Sequence, residues 1–184
     1  MQLKGLKKLW ENDAMNDDYV VERVDWQGSG GEAARAIRFD VFVREQGVPP
    51  DEELDATDPV ASHFLAFDPD RKPCGTARLF PDTEDASLAH IGRMAVLLQA
   101  RAKGCGRALM SALMAEAHRL GFTQVELSAQ THAIGFYGRF GFVVISDEYL
   151  DCDIPHRTMR APLSQREVDD GETSADEDVS VPSG

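Results

Sequence analysis

A chain of 184 residues with 42% hydrophobic content holds enough apolar material for one globular domain with a full core, and leaves no room for a second of ordinary size. Its formal net charge of −13 excludes nucleic acid as the main partner, because phosphate binding rewards clustered Lys and Arg and penalises a negative field. The three cysteines, Cys74, Cys105 and Cys152, form no C-x-x-C pair and accompany no His cluster at metal-ligand spacing, which reads as a reduced, cytoplasmic protein without structural metal.

The opening MQLKGLKKLW sets Leu3, Leu6 and Trp10 on one helical face, with Lys4, Lys7 and Lys8 elsewhere. It lacks the continuous apolar core of a signal peptide and the length of a transmembrane span. Residues 1–18 are therefore expected to be a loose or partly docked extension with no membrane role. A mixed α/β domain is expected over 19–163, since the apolar period alternates there between two and about 3.6. YVVERVDW reads as a strand. GEAARAIRFDVFVREQG puts Ala33, Ile37, Val41 and Phe42 on a helical face, which Gly47 and the prolines of GVPP end. SHFLAFD and CGTARLF, separated by PDRKP, read as an antiparallel hairpin.

SLAHIGRMAV is a longer strand interrupted by Gly92, where a bulge is natural. After the turn in RAKGCGRALM, Leu109, Leu113, Ala117 and Leu120 mark one face of a helix ending at Gly121. TQVELSA reads as a buried strand on Val125 and Leu127, HAIGFYGRF as a short helix, and GFVVIS and HRTMRAP as closing strands. From Ala161 onward seven acids stand against Arg166 alone, among Ser, Gly and Pro, so residues 164–184 are expected to be a disordered acidic tail.

The glycine turn is the feature with chemistry in it. Gly104 and Gly106 let backbone approach a ligand, and the unpaired N–H groups of the following helix favour an anion, phosphate above all. No Lys and Ser or Thr follow the second glycine, as a P-loop requires, and Leu109 stands where a dinucleotide fingerprint wants its third glycine. The pattern that fits is R-x-x-G-x-G, on Arg101, Gly104 and Gly106.

With that motif the sequence resembles the GNAT superfamily of N-acetyltransferases, whose loop for the pyrophosphate of acetyl-coenzyme A carries [QR]-x-x-G-x-[GA]. GFYGRFGF resembles the superfamily's aromatic motif. VFVREQGVPPDEELDATDPVASH, GTARL, IGRMAV, LSAQ and IPHRTM resemble its ElaA/YjcF-like subgroup, a likeness running from about Val20 to Arg160. Ala102 departs from the glycine common there and is expected to do little harm. The resemblance implies a GNAT-like fold, a mostly antiparallel central sheet flanked by helices, and direct attack of an amine on the acetyl thioester in a ternary complex. It implies cofactor contacts from Met94, Ala95 and Val96 on the strand, from Arg101, Ala102, Lys103, Gly104, Cys105, Gly106 and Arg107 in the loop, and from Gln130 and His132 beyond it.

An aliphatic amine is protonated at pH 7, and removing its proton costs roughly 4–5 kcal/mol, so a base is required. Glu45, at the end of the first helix, is the first candidate. Asp51, Glu52, Glu53, Asp55 and Asp58 are expected to form a negative rim drawing in a small cationic amine, although Asp55 and Asp58 also suit turns. Tyr137 matches the tyrosine that many GNAT enzymes keep near the cofactor sulfur. With a phenol near 10 and a thiol near 8.5, full proton transfer is uphill by about 2 kcal/mol, so Tyr137 is expected to stabilise the thiolate by hydrogen bonding.

His63, His90 and His156 read first as structural residues, with His156 the most interesting. Arg78 and Arg93, inside strands, need carboxylate partners, with the Asp55 region equally available as structural ion pair or substrate contact. Cys105 reads as a small filler rather than a nucleophile. Small α/β enzymes often pair as symmetric dimers, which makes a homodimer the assembly to test. The rival reading is a non-catalytic acyl-coenzyme A binding or sensing module.

Overall fold

The computed structural model describes residues 18–163; the readings of the N-terminal extension and the acidic tail lie outside these residues. The chain runs through β1 (Val20–Val24), α1 (Ser29–Arg38), a π-helical run (Phe39–Glu45), α2 (Pro50–Glu53), β2 (Ser62–Phe67), β3 (Pro73–Pro81) and β4 (Leu88–Val96). It continues through α3 (Cys105–Arg119), β5 (Gln124–Gln130), α4 (Ile134–Gly138), β6 (Val143–Val144), β7 (Tyr149–Asp151) and β8 (Ile154–Pro162). One sheet takes the order β1-β2-β3-β4-β5-β8-β6, with β7 also paired to β8. Only β4 and β5 run parallel, as a mostly antiparallel mixed sheet requires. A parallel pair needs a crossover, and α3 supplies it.

One sheet face is covered by α3. Leu109, Met110, Leu113, Met114 and Ala117 are all 0% exposed and pack on Ala77, Leu79, Val125, Leu127 and Met159. Each large side chain buried this way is worth about 1.5–3 kcal/mol, so packing rather than propensity holds this helix. The contact is close because of Gly75 on β3: a Cβ there would stand 2.7 Å from the Cys105 sulfur and 3.0 Å from Leu109. On the other face Ala34, Ile37 and Val41 pack on Leu65 and Ala95, so α1 and the π-run cover β2, β3 and β4.

Between β4 and β5 the sheet opens. Their pairing covers only Leu88–His90 against Gln124–Glu126, after which the strands part. A bulge lies at the point of parting: Arg78 faces Gly92 and Thr76 faces Ala95, so β4 takes one more step than β3. The sequence suggested a bulge at Gly92; the residue with left-handed backbone is Arg93, at φ 51°. The guanidinium of Arg93 donates to the carbonyls of Glu53 (3.1 Å) and Glu52 (3.2 Å), contacts that hold a conformation costly for a side chain.

Other departures have local causes. The first helix buries Ala34 rather than Ala33 and widens into π turns from Phe39, with Gln46 N–H reaching the Val41 carbonyl at 3.2 Å. Pro50 opens α2 instead of ending structure, since proline suits a first helical position. Leu120 follows the last turn of α3 and is 47% exposed. The closing segment has a strand, β7, that the sequence reading missed, while β6 is only two residues long.

Candidate active site

The parted strands, the turn before α3 and α4 enclose a cleft of about 1330 Å³, larger than the usual small-ligand pocket. All the site residues expected from the sequence line it except Cys105. That residue is fully buried, its sulfur 3.7 Å from that of Cys74; burial pushes its thiol far above the ordinary range, as a filler requires. Gly104 sits at φ 102° at the N-cap of the 15-residue α3, where only glycine is unstrained. No side chain caps this helix start, which leaves its N–H groups and the positive end of the dipole for an anion. A Cβ on Gly106 would lie 3.4 Å from Phe136, so alanine is accommodated there by a small adjustment.

Ala102 has left-handed backbone, φ 59°, so the departure from glycine carries a cost that the sequence reading set too low. A left-handed residue with a Cβ costs about 1–2 kcal/mol, and the extra freedom of glycine in the unfolded chain returns part of that. Ala102→Gly is expected to raise unfolding free energy by about 0.5–1 kcal/mol in denaturant titrations, with the cleft unaltered.

Glu45 does not stand free as a base. Both carboxylate oxygens accept from Arg101, each at 2.6 Å, and this hydrogen bonding holds the carboxyl below its ordinary range. The third donor of Arg101, Nε, goes to the Val96 carbonyl at 2.9 Å. The pair therefore braces the turn between β4 and the end of the π-run. A charge-paired carboxylate is a weak proton acceptor, and Glu45 is paired in this way in the free protein.

Tyr137, on α4, sits in the aromatic cluster with Phe136 and Phe142, and its hydroxyl points at the Met94 sulfur, 3.8 Å away. Burial pushes the phenol up to about 12. Gln130, the last residue of β5, donates to Gln46 at 2.9 Å and links that strand to the end of the π-run.

The acidic segment is a correction. Asp51 and Glu52 are exposed as a rim would be, but Glu53, Asp55 and Asp58 meet Arg38, Arg78 and Arg93 in a largely buried network. Arg38, 1% exposed, bonds Glu53 and lies 2.6 Å from Asp58. Arg78 reaches Asp58 and Asp55 at 2.6 Å each, and Arg93 reaches Asp55 at 3.1 Å. Asp55 also accepts from Thr57 N–H and Asp58 from Asp55 N–H, the turn chemistry the sequence allowed. Burial raises the carboxyl of Asp55, but the hydrogen bonds and charge of Arg78 outweigh it and hold the group at about 2. His63 is structural: it stacks on Trp26 at 4.0 Å and contacts the Asp58 carbonyl at 2.8 Å.

Beyond the parted strands lies a polar floor that the sequence reading missed. Val125, Leu127 and Ala129 point into the core, so Glu126, Ser128 and Gln130 emerge on the opposite face, joined from β8 by Thr158 and His156. The Tyr149 hydroxyl lies 2.5 Å from Ser128 and 3.3 Å from Thr158. His90 contacts Asp82 at 2.7 Å, and Arg160 reaches Glu126 at 2.6 Å. The strict alternation in QVELSAQ was the available signal, since a strand buried on both faces would not alternate.

Comparison with known proteins agrees with this geometry. The model of the acetyltransferase (GNAT) domain matches residues 40–163. The uncharacterised N-acetyltransferase YjcF of Bacillus subtilis is 36% identical over 124 residues, 67% of this chain and 86% of that protein. The crystal structure of an acyl-CoA N-acyltransferase from Pseudomonas aeruginosa superposes with a TM-score of 0.67 at 35% identity, covering 78% of this chain and 98% of the other. That of Escherichia coli ElaA gives 0.69 at 28% identity, covering 78% and 99%.

Proposed function

Because the chain belongs to the GNAT acetyltransferase family, we propose that it moves an acetyl group from acetyl-coenzyme A to a primary amine by direct attack in a ternary complex. The observation that carries this reading is one cleft holding both an uncapped α3 start and, beside the gap between β4 and β5, the hydroxyl of Tyr137. The coenzyme supplies an activated thioester; the protein supplies position and charge. Backbone N–H groups around Gly104 to Gly106 receive the diphosphate, with Lys103 and Arg107 adding positive charge. The edge of Met94, Ala95 and Val96 offers the pantetheine a strand to lie along. Tyr137 donates to the departing sulfur, and Gln130 and His132 border the same passage.

The acceptor enters over the polar floor, a setting suited to a small cationic amine. With Glu53, Asp55 and Asp58 paired to arginines and Glu126 to Arg160, Asp151 is the floor carboxylate that attracts it. The three free cysteines support a reducing compartment such as the cytoplasm. A panel of amines assayed by thiol release tests the reading: turnover with at least one alkylamine is expected, saturable in acetyl-coenzyme A. Cofactor binding with no release across the panel would instead establish a sensing module.

A further inference from the structure

We propose that His156 is the general base that takes the ammonium proton of the acceptor; this deepens the acyl-transfer reading above and rests on it. His156 is 8% exposed and lines the cleft. Its Nδ1 lies 2.8 Å from the Ile154 carbonyl. A carbonyl oxygen only accepts, so Nδ1 carries the hydrogen and Nε2 of the neutral ring keeps its lone pair. Nε2 has no hydrogen-bond partner among the described residues, and the ring stacks on Tyr149 with an interplanar angle of 19°. An oriented imidazole with its acceptor nitrogen unspent is a proton acceptor prepared for a ligand.

Its level in the sheet is the second argument. His156 stands opposite Gln130, where β5 has already left β4, and a three-residue turn leads from there into α4 and Tyr137. Among the other candidates, Glu45, Glu126 and His90 are spent or displaced. Glu45 is bound to Arg101 and Glu126 to Arg160. His90 is bound to Asp82 and sits opposite Glu126, at the last rung where the strands are still joined.

In the step, the ammonium gives one proton to Nε2, the freed nitrogen forms a C–N bond with the thioester carbonyl carbon, and the C–S bond breaks. Of the three ammonium protons one stays on the amide nitrogen, one passes through His156 to water, and one ends on the sulfur.

The test compares His156→Gln with the unaltered enzyme on two acceptors: the best alkylamine of the panel, protonated at pH 7, and methoxyamine, already neutral there. A lost base is expected to lower kcat for the alkylamine about 100-fold, leave the KM for acetyl-coenzyme A unchanged, and lower methoxyamine turnover less than threefold. Methoxyamine turnover also reports that the variant is folded. An equal loss on both acceptors, or no loss on either, overturns the assignment. An unaltered enzyme silent with every amine overturns the acyl-transfer reading itself, and His156 with it.

Discussion

Tyr137→Phe is expected to lower kcat by about 10- to 100-fold while leaving the affinity for coenzyme A within about twofold. The magnitude is that of one hydrogen bond to a charged group, about 1.5–3 kcal/mol, converted at about 1.4 kcal/mol per tenfold. What the hydroxyl gives up in the free protein is small: its partner is a thioether sulfur at 3.8 Å, a weak acceptor. Burial has pushed the phenol to about 12, against a thiol near 8.5, so outright proton transfer to the leaving sulfur is uphill by about 5 kcal/mol. Donation without transfer is the cheaper course. The same shift keeps the phenol protonated across the working range, so loss of rate through Tyr137 ionisation begins only as pH approaches 12. Steady-state kinetics of the variant check the first claim, and a rate unchanged within twofold would remove Tyr137 from the chemistry.

Asp58→Asn is expected to cost about 3–5 kcal/mol of folding stability, the usual result of removing one partner from a buried ion network. The carboxylate is 2.6 Å from both Arg38 and Arg78, and the amide leaves two guanidinium groups facing each other with less compensation. At about 2–4 °C per kcal/mol for a domain of this size, the melting temperature falls by roughly 10 °C. Acid acts on the same network. Asp55 and Asp58 both titrate below their ordinary values in the folded protein; Asp55, held at about 2, contributes fully above about pH 4 and loses that contribution as pH falls towards 2, and the contribution of Asp58 falls in the same direction. Chemical denaturation of the variant at pH 7 and of the parent between pH 5 and 2 measures both. A change under 1 kcal/mol in the variant would show that the arginines find other partners.

The parts of this molecule that obey local rules could be read from its sequence. The hairpin of β2 and β3, the glycine turn and the apolar face of α3 all follow from periodicity and turn chemistry, and the GNAT resemblance joined them into one fold. The residues that escaped are those whose meaning depends on distant partners. Glu53, Asp55 and Asp58 of DEELDATD read as part of a solvated rim until Arg38, Arg78 and Arg93 arrive from three other elements. Glu45 looked like an available base because Arg101 is 56 residues away. Ala102 looked harmless because backbone handedness is set by the turn, not by its neighbours in sequence. His156 and His63 each rest one ring nitrogen on a backbone carbonyl, and only the fold shows that His156 lines the cleft while His63 is packed against Trp26.

If a donor lies between β4 and β5 where the strands part, the enzyme's persistence follows the supply of that donor. On the proposed reading, the donor is the wedge that fills a sheet left unfinished, and anything that binds the folded form alone adds to its stability by mass action. At a hundredfold excess over its dissociation constant that gain is about 2.7 kcal/mol, a sizeable share of the 5–15 kcal/mol that holds an ordinary domain together. A cell rich in the acyl carrier would thus not only run this catalyst faster but also keep each copy longer, without any dedicated regulator.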